Sequence, residues 1–239
     1  MKRKILGMLL IIILTLGVTG CGKITEKTPE KDTSKEQNES TNKNEGKKPV
    51  STKTITKEDV MNAPESPAED FSYGELSAGT VYIDGYLGND EIVVIPSKID
   101  GKAVVDVGGG LFQEDKTTAR AVRFPDSVEI IGGWTFSYSD NIEIVILGSG
   151  LKEIGECAFS DTSNLKELNL PEGLEKIGRR AIVLTGIETM EVPSSVVDLR
   201  DGAIMGMTVI GEPGSAIEEY AEEAFNVEFQ AKSEDKETE

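Results

Sequence analysis

FPDSVEIIGGWTF at 124–136 and LPEGLEKIGRRAI at 170–182 are the stretches that decide how this chain folds. Between them lies LGSGLKEIGECAF at 147–159, and after them VPSSVVDLRDGAI at 192–204. The four segments start 23, 23 and 22 residues apart. Each opens on an apolar residue before a Pro or Gly, and another apolar residue stands two positions earlier: Val122, Val145, Leu168 and Met190. Three residues after the Pro or Gly come Val128, Leu151, Leu174 and Val196. Six after it come Ile131, Ile154, Ile177 and Leu199, with glycine next in the first three. Thr135-Phe136, Ala158-Phe159, Ala181-Ile182 and Ala203-Ile204 close the units. An earlier unit starts at Ile95-Pro96, runs around an insertion at Asp100–Ala103, and recovers the frame at Val107-Gly108 and Leu111-Phe112.

The pattern has a physical reading. Alternating apolar residues that end at a proline form a short strand with one buried face, and the proline, lacking an N–H, ends the ladder. No such unit can bury its own face, so the units stack. The expected fold is a mostly β repeat solenoid over residues 92–210, with a parallel strand ladder and short turns. Both ends need covers. Phe71–Tyr73 with Gly79–Gly88 predicts a β-hairpin cap over the first coil. Ser215-Ala216-Ile217-Glu218 predicts a capping box opening a helix, whose Ile217, Tyr220, Ala221 and Ala224 lie over the last coil. Val227 and Phe229 suggest a final strand.

The phrase resembles the BspA-like leucine-rich repeat family of bacterial surface proteins, whose unit is close to I-P-x-x-V-x-x-I-G-x-x-A-F. The resemblance spans roughly residues 70–230. Gly148 in place of Pro, Thr135 in place of Ala, Arg200 in place of Gly, and Ile182 and Ile204 in place of Phe depart from it. It implies a surface protein that recognises another protein.

The N-terminus supports that location. Lys2-Arg3-Lys4 precedes an apolar run Ile5–Val18, shorter than the roughly 20 residues a membrane span needs, which makes it a signal-peptide core. Leu16-Gly17-Val18-Thr19-Gly20-Cys21 resembles the bacterial lipobox, which implies cleavage before Cys21 and a diacylglycerol on its sulfur. The expected organisation is a lipoprotein signal peptide at 1–20, a lipidated Cys21 opening a disordered hydrophilic tether to residue 69, the repeat domain at 70–230 and a disordered tail at 231–239. The expected location is extracytoplasmic, anchored to the bacterial cell membrane.

Composition removes several chemistries. The chain has no histidine, so a His-based nucleophile system or a His-ligated zinc is excluded. Residues 58–239 hold 13 basic against 37 acidic side chains, a charge of −24, which argues against nucleic acid. No nucleotide or EF-hand motif holds its spacing, so no cofactor and no metal site are expected. The carboxylates mark out no catalytic pair, and the chain is not expected to be an enzyme. With Cys21 lipidated, Cys157 is expected to have no disulfide partner. A solute-binding lipoprotein and an envelope carbohydrate hydrolase are the alternatives that share such an export signal.

The surface singled out is the outward side of the ladder. If Val122 and Phe124 point in, Arg123 points out, and alternation places Ile144, Ile146, Asn169 and Glu191 on the same face. Apolar rows beside polar ones suit protein binding. These five are the candidate face for an unknown protein partner, host or envelope, unless the preceding hairpin or tether folds over them.

Overall fold

The computed structural model describes residues 53–233. The signal peptide, Cys21 and the tether to residue 52 lie outside the described residues, as does the tail from residue 234.

The solenoid is present, with the expected inward set. Val93, Val122, Val145, Leu168 and Met190 are all buried, as are Ile131, Ile154 and Ile177 one corner on. Ile92–Val94, Ala121–Arg123, Ile144–Ile146 and Glu167–Leu168 pair in parallel as the first ladder. A second ladder, which the repeat phrase places after the proline, runs along another side. It comprises Val81–Tyr86, Lys102–Val107, Ile130–Ile131, Glu153–Ile154, Lys176–Ile177 and Asp198–Leu199. Outward side chains of this ladder form ion pairs between coils or within one, such as Lys176 with Glu153 at 2.7 Å and Arg200 with Asp198 at 2.8 Å.

Aromatic rings fill the centre. Phe112, Phe136 and Phe159 stack with centroids 5.0 Å apart and planes 9° from parallel. Tyr86 and Phe71 extend the row toward the N-terminal end, and Ile182 and Ile204 occupy the same register beyond it. Stacking of identical residues follows from parallel, in-register coils.

Each coil makes its third corner through two left-handed residues four positions apart. Trp134, Cys157, Arg180 and Gly202 take φ of 64°, 53°, 51° and 61°; Tyr138, Asp161, Leu184 and Gly206 take 58°, 58°, 53° and 79°. An L-residue there costs about 1–2 kcal/mol. The coils offset it with hydrogen bonds along the stack, such as Trp134 N–H to Glu156 C=O and Cys157 N–H to Arg179 C=O, both 2.9 Å. Six of these eight positions are not glycine, so glycine placement does not mark the corner in the sequence.

The ends are capped. Phe71–Glu75 and Val81–Tyr86 form the antiparallel hairpin over the first coil. At the other end Ala216–Glu223 is a helix, termed α2, that buries Ile217. Tyr220 donates its hydroxyl to Ile204 C=O at 2.8 Å and accepts Ile204 N–H at 3.0 Å, and burial pushes its phenol pKa up. Val227–Ala231 closes a third sheet, in parallel with Met207–Gly211 and Thr189–Glu191.

Two expectations are corrected. Ser215 is the N-cap of α2, but the capping box does not form. Its hydroxyl donates to Glu212 C=O, and Glu218 accepts from Gly214 N–H, because the Pro213-Gly214 turn brings those groups nearer. The tether was expected to run to residue 69, yet structure begins well before that. Residues 57–62 form a helix, termed α1, and Ile55 and Val60 are buried.

Candidate protein-binding face

The outward side of the first ladder is built by alternation. With Val122 turned into the core, Ala121 and Arg123 turn out, and Ile92, Ile144 and Ile146 follow from the register. Three rows of mainly apolar side chains thus stand on a face that solvent would wet. They are not left open. Ile55 and Val60 pack onto Ala121 and Ile144, with Ile92 and Ile146 at the edge, as a small cluster separate from the main core.

The covering segment, residues 53–66, is a strap organised by its own sequence. Thr56 is the N-cap of α1, and its hydroxyl accepts Asp59 N–H at 3.2 Å. The Asp59 carboxylate accepts Thr56 N–H at 2.9 Å, and the Thr56 side chain and backbone hold its pKa below the ordinary value. Ile55 precedes the cap and Val60 is the fourth helical residue, the positions of a hydrophobic staple. This Ile55–Val60 phrase was legible as a helix start. The polar composition around it nevertheless reads as tether.

Two arginines fasten the strap. Arg120, 7% exposed, pairs with Glu143 at 2.8 Å and donates to Lys53 C=O at 2.8 Å. Arg123 donates to Val60 C=O at 3.2 Å and Ala63 C=O at 2.6 Å, at the carbonyl end of α1 where a cation is favoured. Ser66 then joins the ladder edge, its N–H donating to Val94 C=O at 2.9 Å and its hydroxyl accepting Val94 N–H at 3.1 Å.

The five candidate residues therefore divide. Arg123 is half-buried and engaged by the strap, Ile144 is buried at 7%, and Ile146 is half-buried. A charge placed at Ile144 or Ile146 disturbs the strap before it meets any partner. Asn169 and Glu191 are exposed, on opposite sides of a cleft of about 250 Å³ with Glu167, Glu172, Thr189 and Lys166. Glu191 pairs with Lys232 and raises its pKa. The cleft marks where first-ladder pairing stops: Glu167–Leu168 and Thr189–Glu191 belong to different sheets. It coincides with the unit that is 22 rather than 23 residues long.

Among the described residues no group of three acidic or cysteine side chains is placed to hold a metal ion, and no helix is long and apolar enough to cross a membrane. Cys157 is fully buried, in its left-handed turn. The expectation that it lacks a disulfide partner turns on Cys21, the chain's other cysteine, which lies outside the described residues.

Residues 95–210 match the BspA-type leucine-rich repeat model in six copies. A T. pallidum leucine-rich repeat protein of known structure shares 30% identity over 62% of this chain and 71% of its own, with a TM-score of 0.56. This chain belongs to the BspA-type leucine-rich repeat family. A second leucine-rich repeat structure, from Bacteroides ovatus ATCC 8483, is 24% identical over 63% of this chain and 42% of its own, at a TM-score of 0.54, and supports the fold. No curated protein matches the sequence. Within this BspA-type solenoid, the glycines after Ile131, Ile154 and Ile177 and the Phe stack are the repeat's framework. The strap and the cleft are features of this chain's own residues.

Proposed function

We propose that the chain is an extracytoplasmic recognition module, without catalytic activity, that is lipid-anchored at Cys21 and binds a protein partner through the first-ladder face. The supporting observation is the cleft between Glu167–Leu168 and Thr189–Glu191, where two strand edges face each other on a rigid frame. Strand edges without a neighbour pair with extended chain, and the flanking side chains supply selectivity. Acidic and amide groups line this opening, so a partner segment with basic or hydrogen-bonding side chains suits it. A solute-binding lipoprotein would instead need two α/β lobes around a crevice.

The test is capture by the full-length chain from solubilised envelope and from host matrix proteins, beside Asn169→Arg and Glu191→Arg. Both side chains are exposed, so folding is expected to be unaffected. Loss of the same partner with both variants is expected; identical capture by all three chains overturns the site.

The anchor has its own check. The lipoprotein is expected to show the added diacylglycerol mass on the peptide that begins at Cys21. An unlipidated mass removes the anchor from the proposal.

A further inference from the structure

The strap shows what chemistry its own docking strip accepts. Its two apolar side chains in the cluster over the ladder, Ile55 and Val60, share no neighbour set with the main core, so lifting the strap leaves the solenoid interior closed. Segments held by so few buried side chains open at a fraction of the global unfolding free energy. The polar fastenings, from Arg120 and Arg123, go to backbone carbonyls of Lys53, Val60 and Ala63. Any peptide has such carbonyls. Selectivity thus reduces to two aliphatic side chains, one before a helical cap and one on the first turn. The capping box organises that turn locally, which lowers the ordering cost of docking. Pro64 and Pro67 flank Ser66 where the strap rejoins the ladder, a fixed end from which the rest can swing.

We propose that residues 53–63 are a displaceable internal ligand. The strip beneath them, formed by Ile92, Ala121, Ile144 and Ile146 beside Arg120 and Arg123, takes a partner's short helical turn bearing two aliphatic side chains five residues apart. This rests on the ladder face being the recognition surface, and it makes the strap the competitor that a partner must displace. An intramolecular competitor acts at an effective concentration in the millimolar range for a short connection, so partner binding to the closed chain is weak until the strap is released.

The probe is a labelled synthetic peptide with the sequence of residues 53–67, titrated into the full-length chain. Val60→Asp is expected to open the strap and raise affinity for the peptide at least about tenfold over wild type. A peptide with Asp at both aliphatic positions is expected to bind neither chain. Ile55→Asp is the second opening variant, and near-ultraviolet circular dichroism of the aromatic core reports whether each variant is folded. Folded variants that bind the peptide no better than wild type overturn the proposal. So does hydrogen exchange in which the Val60 amide opens only with the whole domain. Variants that dimerise and are dispersed by the peptide assign the strip to a second copy, which overturns the partner assignment. The readout does not involve Asn169 or Glu191. A failure here leaves the capture result standing, and a failed capture leaves peptide binding standing.

Discussion

Phe136→Ala is expected to lower the unfolding free energy by about 3–5 kcal/mol. Phe136 is fully buried and lies between two rings, each 5.0 Å away and nearly parallel, with Phe124 edge-on at 6.1 Å. Removing it leaves a cavity that neighbouring coils close only by moving, and the two ladders that hold those coils resist the movement. Coils in a solenoid touch only their neighbours, so the damage uncouples Phe112 and the N-terminal hairpin from Phe159 and the C-terminal coils. Urea unfolding followed by Trp134 fluorescence and by circular dichroism measures it. The expected result is a lower midpoint with the two probes separating. A loss below about 1 kcal/mol would mean that the stack is not the core's organising feature.

Gly155→Ala is expected to lose about 2–3 kcal/mol through overpacking. A Cβ on Gly155 would lie 2.5 Å from Gly133 N and 2.7 Å from Gly132 C, both backbone atoms that cannot rotate away. The neighbouring corners are similar: Gly178 would meet Gly155 at 2.6 Å, and Gly108 and Gly132 would meet each other at 2.8 Å. Backbone conformation is not the reason, since Gly155 is not among the glycines with positive φ. The demand is for close approach of successive coils. Thermal unfolding of Gly155→Ala beside Gly173→Ala separates the two situations. Gly173 faces the end of the Lys152 side chain at 3.2 Å, with carbonyl oxygens no nearer than 3.4 Å, and is expected to tolerate the methyl with a much smaller loss. Equal losses would discard the close-approach argument.

The repeat was legible because a solenoid writes the same requirement into every coil. Val122, Val145 and Leu168 fill one ladder, Ile131, Ile154 and Ile177 the next, and glycine follows where backbones meet. The candidate face was half legible for the same reason. Alternation placed Arg123, Ile144, Ile146, Asn169 and Glu191 outward, but alternation is blind to what lies on top. Spacing leaves open whether the tether folds over the face, because a stretch with two buried side chains among Lys, Thr, Glu and Asp has the composition of a solvated linker. Its anchoring groups, Arg120 and Arg123, sit some 60 residues away in the chain, at separations of 67 and 63 or 60 residues from the carbonyls they bind.

The sequence by itself determined the stacked-coil architecture, its period, its buried set and its caps, because each coil's burial is a local matter of residue spacing. It also determined the absence of imidazole chemistry and the acidity of the repeat region. Only the tertiary structure decided which part of the ladder face is open. That depends on pairings between distant segments: the strap with rows one to three, and the loss of register across the 22-residue unit. A side chain's outward direction follows from its neighbours in the chain, whereas its accessibility follows from everything else that packs there.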